Sequence, residues 1–192
     1  MISNQLKIYL STPHEFSHVD EICNGRFNRI TQVIHNDIQN TYIKRSFTNN
    51  FDDETYELFI QICEELLEYQ KKLPFSLPIS FIIELSENIF PALITPYYEK
   101  RSLRDLILYE CNDDNIHEFD EYQRIIFIYC LALFLEQLHS NDKFHGNFKA
   151  SNIIIDDNFY PLVSDLFLYK LHTNDKKEKT IDSVVSLPPE IL

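Results

Sequence analysis

The stretch that most constrains this chain is residues 144–165, FHGNFKASNIIIDDNFYPLVSD. It opens on an apolar approach and passes through a polar loop carrying His145, Asn147, Lys149 and Asn152. It continues as an isoleucine strand at 153–155, a turn and a Leu162-Val163 strand, and ends on a lone Asp165. Asp156-Asp157-Asn158 is turn chemistry, because short carboxylate and carboxamide side chains hydrogen-bond their own backbone. Taken singly, His145 reads as a structural histidine and Asp165 as a turn or cap residue. Their joint spacing carries the information.

Composition sets outer bounds. At 192 residues and 44% hydrophobic content the chain can bury a core, as one domain or as two small lobes sharing a cleft. A net charge of −13 repels phosphate backbones and anionic lipid, which argues against nucleic-acid and membrane-surface partners. Proteins, or a nucleotide shielded by metal, remain. Cys23, Cys63, Cys111 and Cys130 are far apart with no Cys-x-x-Cys pair, so they read as reduced thiols of an intracellular, cytoplasmic protein. The first residues show no secretory signal, and the longest apolar run, 125–135, is well short of the roughly 20 residues that span a bilayer. Two glycines and no tryptophan are few for an enzyme that brings backbone close to phosphate.

Residues 1–15 hold a short apolar patch, Ile8, Tyr9 and Leu10, and read as an edge strand or a loose arm. FSHVDEI, RFNRITQVIHN and TYIKRSF follow, separated by Asn36, Asp37 and Asn40, as a small antiparallel sheet. Residues 51–72 predict a helix capped by Asp52 or Asp53, with Phe59, Ile62, Cys63, Leu66 and Tyr69 on one face. Two further strands, PISFIIEL and FPALIT, precede a helical start at 102–106. Residues 110–121 form an acidic connection, and 122–140 a helix so apolar through its middle that it must be surrounded.

With these elements in place, His145, Lys149, Asn152 and Asp165 resemble the catalytic loop and metal-binding turn of protein kinases. The family pattern is His-x-Asp-x-Lys-x-x-x-Asn, two short strands, then Asp-Phe-Gly. The resemblance covers residues 16–192 and is weakly nearer the Ser/Thr and tyrosine-kinase-like branch, on the HGN loop and the SLRDLI segment. It implies an α+β, bilobal fold: an arm at 1–15, a small β-sheet lobe with one long helix at 16–95, a hinge at 96–101, and a helical lobe at 102–192. That second lobe would be incomplete, ending on a Pro-Pro-Glu similar to the family's Ala-Pro-Glu.

The same resemblance implies ATP and Mg²⁺ as ligands. Asn152 and Asp165 would hold the metal, and Lys149 would balance transferred charge. Lys44, in TYIK where the family has Val-Ala-Ile-Lys, would hold the phosphates. Gly25 stands at the middle glycine of the phosphate loop, although a plain β-turn explains it equally well. Ile30, Thr95 as gatekeeper, Tyr98 of the hinge and Ile154 would line the nucleotide.

Several positions depart from the pattern. Asn147 replaces the proton-accepting Asp, and a carboxamide cannot take a proton near neutral pH, a loss on the order of 10²–10⁴ in rate. Cys23 and Asn28 replace two glycines, Tyr42 a small alanine over the adenine, and Leu166-Phe167 the Phe-Gly pair. Ile62 stands where the long helix should offer a Glu, unless the register shifts to Glu64 or Glu65. Pro96 removes one hinge donor. The expected function is a pseudokinase acting as a signalling or interaction module with a protein partner. A weakly active ATP-dependent Ser/Thr kinase and a truncated, non-functional fragment stay open.

Overall fold

Strands form where the sequence alternates and carries β-branched residues, and helices where apolar residues return every third or fourth position. A computed structural model describes residues 4–24, 28–47, 51–84, 90–100, 102–112 and 120–171. The chain divides into two units, residues 1–70 with 78–97, and residues 71–77 with 98–192. The architecture is α+β and protein-kinase-like: a sheet unit with one long helix, and a helical unit carrying a hairpin.

In the first unit a short helix α1 (Asn4–Lys7) leads into β1 (Leu10–Ser11). The sheet also contains β2 (Phe16–Asn24), β3 (Asn28–His35), β4 (Thr41–Phe47), β5 (Phe81–Ile83) and β6 (Ala92–Pro96), in the order β1-β5-β6-β4-β3-β2. Of the two readings of the N-terminal patch, the edge strand is the one seen: Leu10 pairs with Ile82, parallel to β5. All other pairings are antiparallel.

Residues directly opposite each other share a face of a sheet. The register therefore sorts Thr31, Val33, Tyr42, Lys44, Phe81, Ile83, Ala92 and Ile94 to one face, and Ile30, Gln32, Ile43, Arg45, Phe47, Ile82, Leu93 and Thr95 to the other. The first face buries Val33, Tyr42, Ile83, Ala92 and Ile94, with Phe16 and Phe81 packed against them. The second face carries α2 (Asp53–Tyr69): the Phe47 ring meets that of Phe59 at 5.4 Å, edge to face. Helix α2 is capped by Asp52, whose carboxylate accepts from the Thr55 N–H at 2.8 Å, and it buries the predicted residues Phe59, Ile62, Cys63, Leu66 and Tyr69.

In the second unit Ser102 starts α3 (Leu103–Asn112). The Ser102 hydroxyl donates to the Asp105 carboxylate at 2.6 Å, and the Asp105 N–H donates back at 3.2 Å. The acidic connection expected from residue 110 is thus still helical to Asn112. Helix α4 (Glu121–Ser140) begins on a reciprocal pair between Asp120 and Gln123. Strands β7 (Ile153–Ile155) and β8 (Pro161–Val163) form a hairpin, and Ile153 and Ile155 pack with Leu106 and Phe127.

Helix α4 is so apolar that it calls for cover on every side, and the chain after it is too short to give that easily. Among the described residues it is covered on one side: it buries Phe127, Cys130, Phe134 and Leu138 along one stripe, while Ile125, Ile128 and Tyr129 are 61%, 67% and 63% exposed. No helix among them is long and apolar enough to cross a membrane.

Candidate functional site

The hairpin is set by its turn. The Asp156 carboxylate accepts from the N–H groups of Asn158 and Tyr160 at 2.9 and 2.7 Å, and Phe159 turns through a left-handed φ of 65°. This brings the residue after β8, Ser164, back against the polar loop. The Ser164 N–H and hydroxyl both donate to the Asn152 carbonyl, at 2.8 and 3.1 Å.

His145 completes the cross-link. Its Nδ1 accepts from the Asn147 N–H at 3.2 Å, so the proton of a neutral ring sits on Nε2 and is donated to the Ser164 carbonyl at 2.8 Å. Burial holds this imidazole below its ordinary pKa, opposed by the Ser164 bond and the Asp165 charge. The histidine is structural and neutral.

Asn152 is 5% exposed, and its Nδ2 donates to the Asn147 carbonyl at 2.8 Å. The Asn147 backbone is thus committed at both ends to holding the loop, and its half-buried side chain offers a carboxamide where the resemblance places a base. The Asn152 Oδ1 has no hydrogen-bond partner among the described residues. Asp165 follows Ser164 at a left-handed φ of 64°, and its carboxylate is half-buried. One open carboxamide oxygen and one carboxylate are hard donors that fit Mg²⁺, with water and phosphate oxygens completing six ligands. No cluster of three His, Cys, Asp or Glu forms among the described residues, so nothing there suits a softer metal. Lys149 is half-buried, and its carbonyl accepts from the Asn152 N–H at 2.9 Å.

After Asp165 the pattern departs as the sequence indicates. Leu166 and Phe167 are both 1% exposed, and Phe167 holds the left-handed conformation, φ 63°, that a glycine would adopt freely. Tyr98 lies near the hairpin turn: burial first, then Asp156 and Asp157, raise its phenol above the usual range. Ile154 pairs with Leu162 and bridges Ser102, on the hairpin face away from Ile153 and Ile155.

In the first unit the predicted residues separate. Ile30 lies opposite Arg45, and Thr95 opposite Ile43, all on the face that carries α2. Lys44 lies opposite Thr31 on the other face, two residues from Tyr42. The register therefore does not bring Lys44 and Tyr42 together with Ile30 and Thr95, and the cation beside Ile30 is Arg45. Lys44 is half-buried with no side-chain partner among the described residues, and burial alone pulls its ammonium below the usual lysine range. Sequence reasoning missed Arg45 because a one-residue offset in β4 changes the face of every side chain. The signal lies only in the cross-strand register, where Arg45 stands opposite Ile30 and Leu93, and Ile43 opposite Thr95. Ile62 is 1% exposed. Glu64, Glu65 and Arg45 are each engaged by partners. Gly25 lies outside the described residues, as do residues 172–192.

No family model matches the chain. The serine/threonine-protein kinase SCH9 of Saccharomyces cerevisiae is 24% identical over 183 residues, 94% of this chain and 21% of that protein. Cysteine-rich receptor-like protein kinase 10 of Oryza sativa subsp. japonica is 33% identical over 103 residues, 52% of this chain and 15% of its own length. Interleukin-1 receptor-associated kinase-like 2 of Rattus norvegicus is 30% identical over 92 residues, 48% of this chain and 14% of its own length. The chain spans 21% or less of the length of these relatives. Two are protein kinases by name and the third is named kinase-like, and the chain's similarity to them agrees with its kinase-like α+β fold.

Proposed function

We propose that this chain is a protein-kinase-like domain deficient in phosphoryl transfer, which acts by binding a protein partner. The observation that carries this reading is Asn147. It stands where the resemblance places the proton acceptor, in a loop held by the Asn147 N–H to His145 and the Asn152 Nδ2 to the Asn147 carbonyl. A substrate hydroxyl reaching it meets a group that accepts a hydrogen bond and keeps no proton. The exposed Ile125, Ile128 and Tyr129 support contact with protein.

A second reading, retained Mg-ATP binding with weak Ser/Thr kinase activity, is favoured by an Asn152 Oδ1 with no hydrogen-bond partner among the described residues and by the half-buried Asp165, which follows the Ser164 bonded to Asn152. Bound Mg²⁺ would neutralise phosphate charge there, with Lys149 offering a second positive group. The experiment compares phosphoryl transfer from ATP to a generic protein substrate by wild type and by Asn147→Asp, alongside thermal unfolding with ATP, Mg²⁺ and both. The proposal expects wild type at the no-enzyme background. Transfer above background by wild type overturns it, and a gain in Asn147→Asp alone supports the role given to Asn147. A metal-dependent rise in Tm with no transfer places nucleotide binding within an inactive domain.

A further inference from the structure

Helix α4 carries a second stripe, opposite the one that it buries. Tyr122, Ile125, Tyr129, Ala132, Glu136 and His139 follow at alternating steps of three and four residues, which keeps them along one seam of a helix. All six are exposed, and Ile128 flanks the seam at 67% exposed. Phe127 and Phe134, in the middle of the buried stripe, lie on the far side of the helix. A helix that packs on one core needs one apolar face, and α4 has two.

The order of residues along the seam restricts what can cover it. When a second α4 lies antiparallel on the first, about a two-fold axis level with Cys130, residues equally distant on either side of Cys130 come level with each other. Ile128 is then level with the small Ala132 of the opposite copy, Ile125 with its Leu135, Glu121 with its His139 imidazole and Arg124 with its Glu136 carboxylate. Each of these contacts is made twice by symmetry. Parallel pairing in register instead sets Glu121 on Glu121, Arg124 on Arg124 and Glu136 on Glu136, like charge on like, and aligns the two helix dipoles unfavourably. A seam that complements itself in reverse is what a two-fold contact between copies requires, and a foreign partner has no need of it.

We infer that the 122–139 seam of α4 is a homodimer surface, on which a second copy of this chain seats its own α4 antiparallel. This pairing rests on the reading of the domain as one that acts by protein contact, and it identifies the partner. One helix from each copy is a contact at the small end of the range for specific association, and each copy carries −13. The dimer is therefore weak: half the chains are expected in dimers at about 10–100 µM once about 0.3 M salt screens the charge. At about 1 µM the monomer prevails and Ile128 faces water.

Sedimentation equilibrium of the full chain from about 2 to about 200 µM, at about 0.3 M NaCl, tests it, and the mass is expected to climb from one chain toward two and stop there. Ile128→Glu is expected to raise the dissociation constant at least about tenfold while leaving Tm at about 1 µM at the wild-type value. Arg124→Glu and Glu136→Arg should each weaken the dimer about three- to tenfold. The double variant should return to within about twofold of wild type, because the reversed charges again face their opposites. A monomer throughout, growth beyond two chains, a dimer untouched by Ile128→Glu, or a double variant weaker than either single one overturns the inference. A fall in Tm of Ile128→Glu at about 1 µM also overturns it, since the seam would then be covered by the chain itself. None of these results bears on phosphoryl transfer, so a monomer that transfers no phosphate would leave the proposed function standing with a different partner.

Discussion

A neutral imidazole joins the loop to the turn, which makes His145 sensitive to acid. Its pKa in the folded chain lies below the ordinary 6.5, so the unfolded chain binds the proton more readily. The stability it contributes is therefore complete above that ordinary value and is lost as pH falls below it toward the folded pKa. We expect Tm to hold steady above the ordinary histidine value and to fall as pH drops below it. In His145→Gln, Tm at neutral pH should be lower and that part of the fall should be flatter. An equally steep fall in the variant would assign the acid sensitivity to other groups. The sheet offers a paired test at the same scale. Lys44→Met removes a half-buried ammonium without a described partner, so Tm should stay level or rise. Arg45→Met removes an engaged guanidinium from the α2 face and should lower stability by on the order of 1 kcal/mol. The reverse ranking would mean that Lys44 is the structural cation.

Among the elements, α4 separates packing from hydrophobicity most clearly. Phe134 is 0% exposed and Ile128 is 67% exposed, on the same apolar helix. Phe134→Ala should cost about 3–5 kcal/mol in denaturant unfolding, and Ile128→Ala no more than about 0.5. Equal costs would mean that the Ile128 face is covered in solution. Asp120→Ala, which removes the cap, should cost about 1 kcal/mol. These elements were largely legible in the sequence. The α2 stripe from Phe59 to Tyr69 repeats with the helical period, and Asp156-Asp157-Asn158 announces the hairpin in its own composition. Two things were not legible. That α4 keeps an uncovered apolar patch was expected from the short chain after it, but which residues form it could not be read, because Ile125 and Ile128 are as apolar as the buried Phe127 and only the position of neighbouring elements decides which is covered. The faces of β4 could not be read either, because Lys44 and Arg45 are adjacent cations and cross-strand register has no local signal. In the loop, His145, Asn152 and Asp165 were found by spacing, whereas the Ser164 bonds that join them depend on backbone atoms that every residue carries.

Charge acts on the molecule as a whole. Thirty acidic residues against seventeen basic ones leave −13, and folding concentrates that excess within each unit. The side-chain pair Arg29 to Glu21, at 3.2 Å, is about half exposed at both ends, so it returns little in water. Repulsion spread over many exposed carboxylates is screened once the Debye length falls well below the spacing of the charges, which happens between about 0.05 and 0.5 M salt. Tm should therefore rise by a few degrees over that range in NaCl, on the order of 1 kcal/mol for a chain of this size. The rise should be largest at neutral pH and shrink toward about pH 5, as carboxylates begin to take up protons. A fall in Tm with salt would mean that attractive pairs outweigh the net repulsion. The same excess of negative charge predicts no change in the anisotropy of labelled duplex DNA on adding the protein at low salt, where screening is weakest and any favourable electrostatic attraction would be largest.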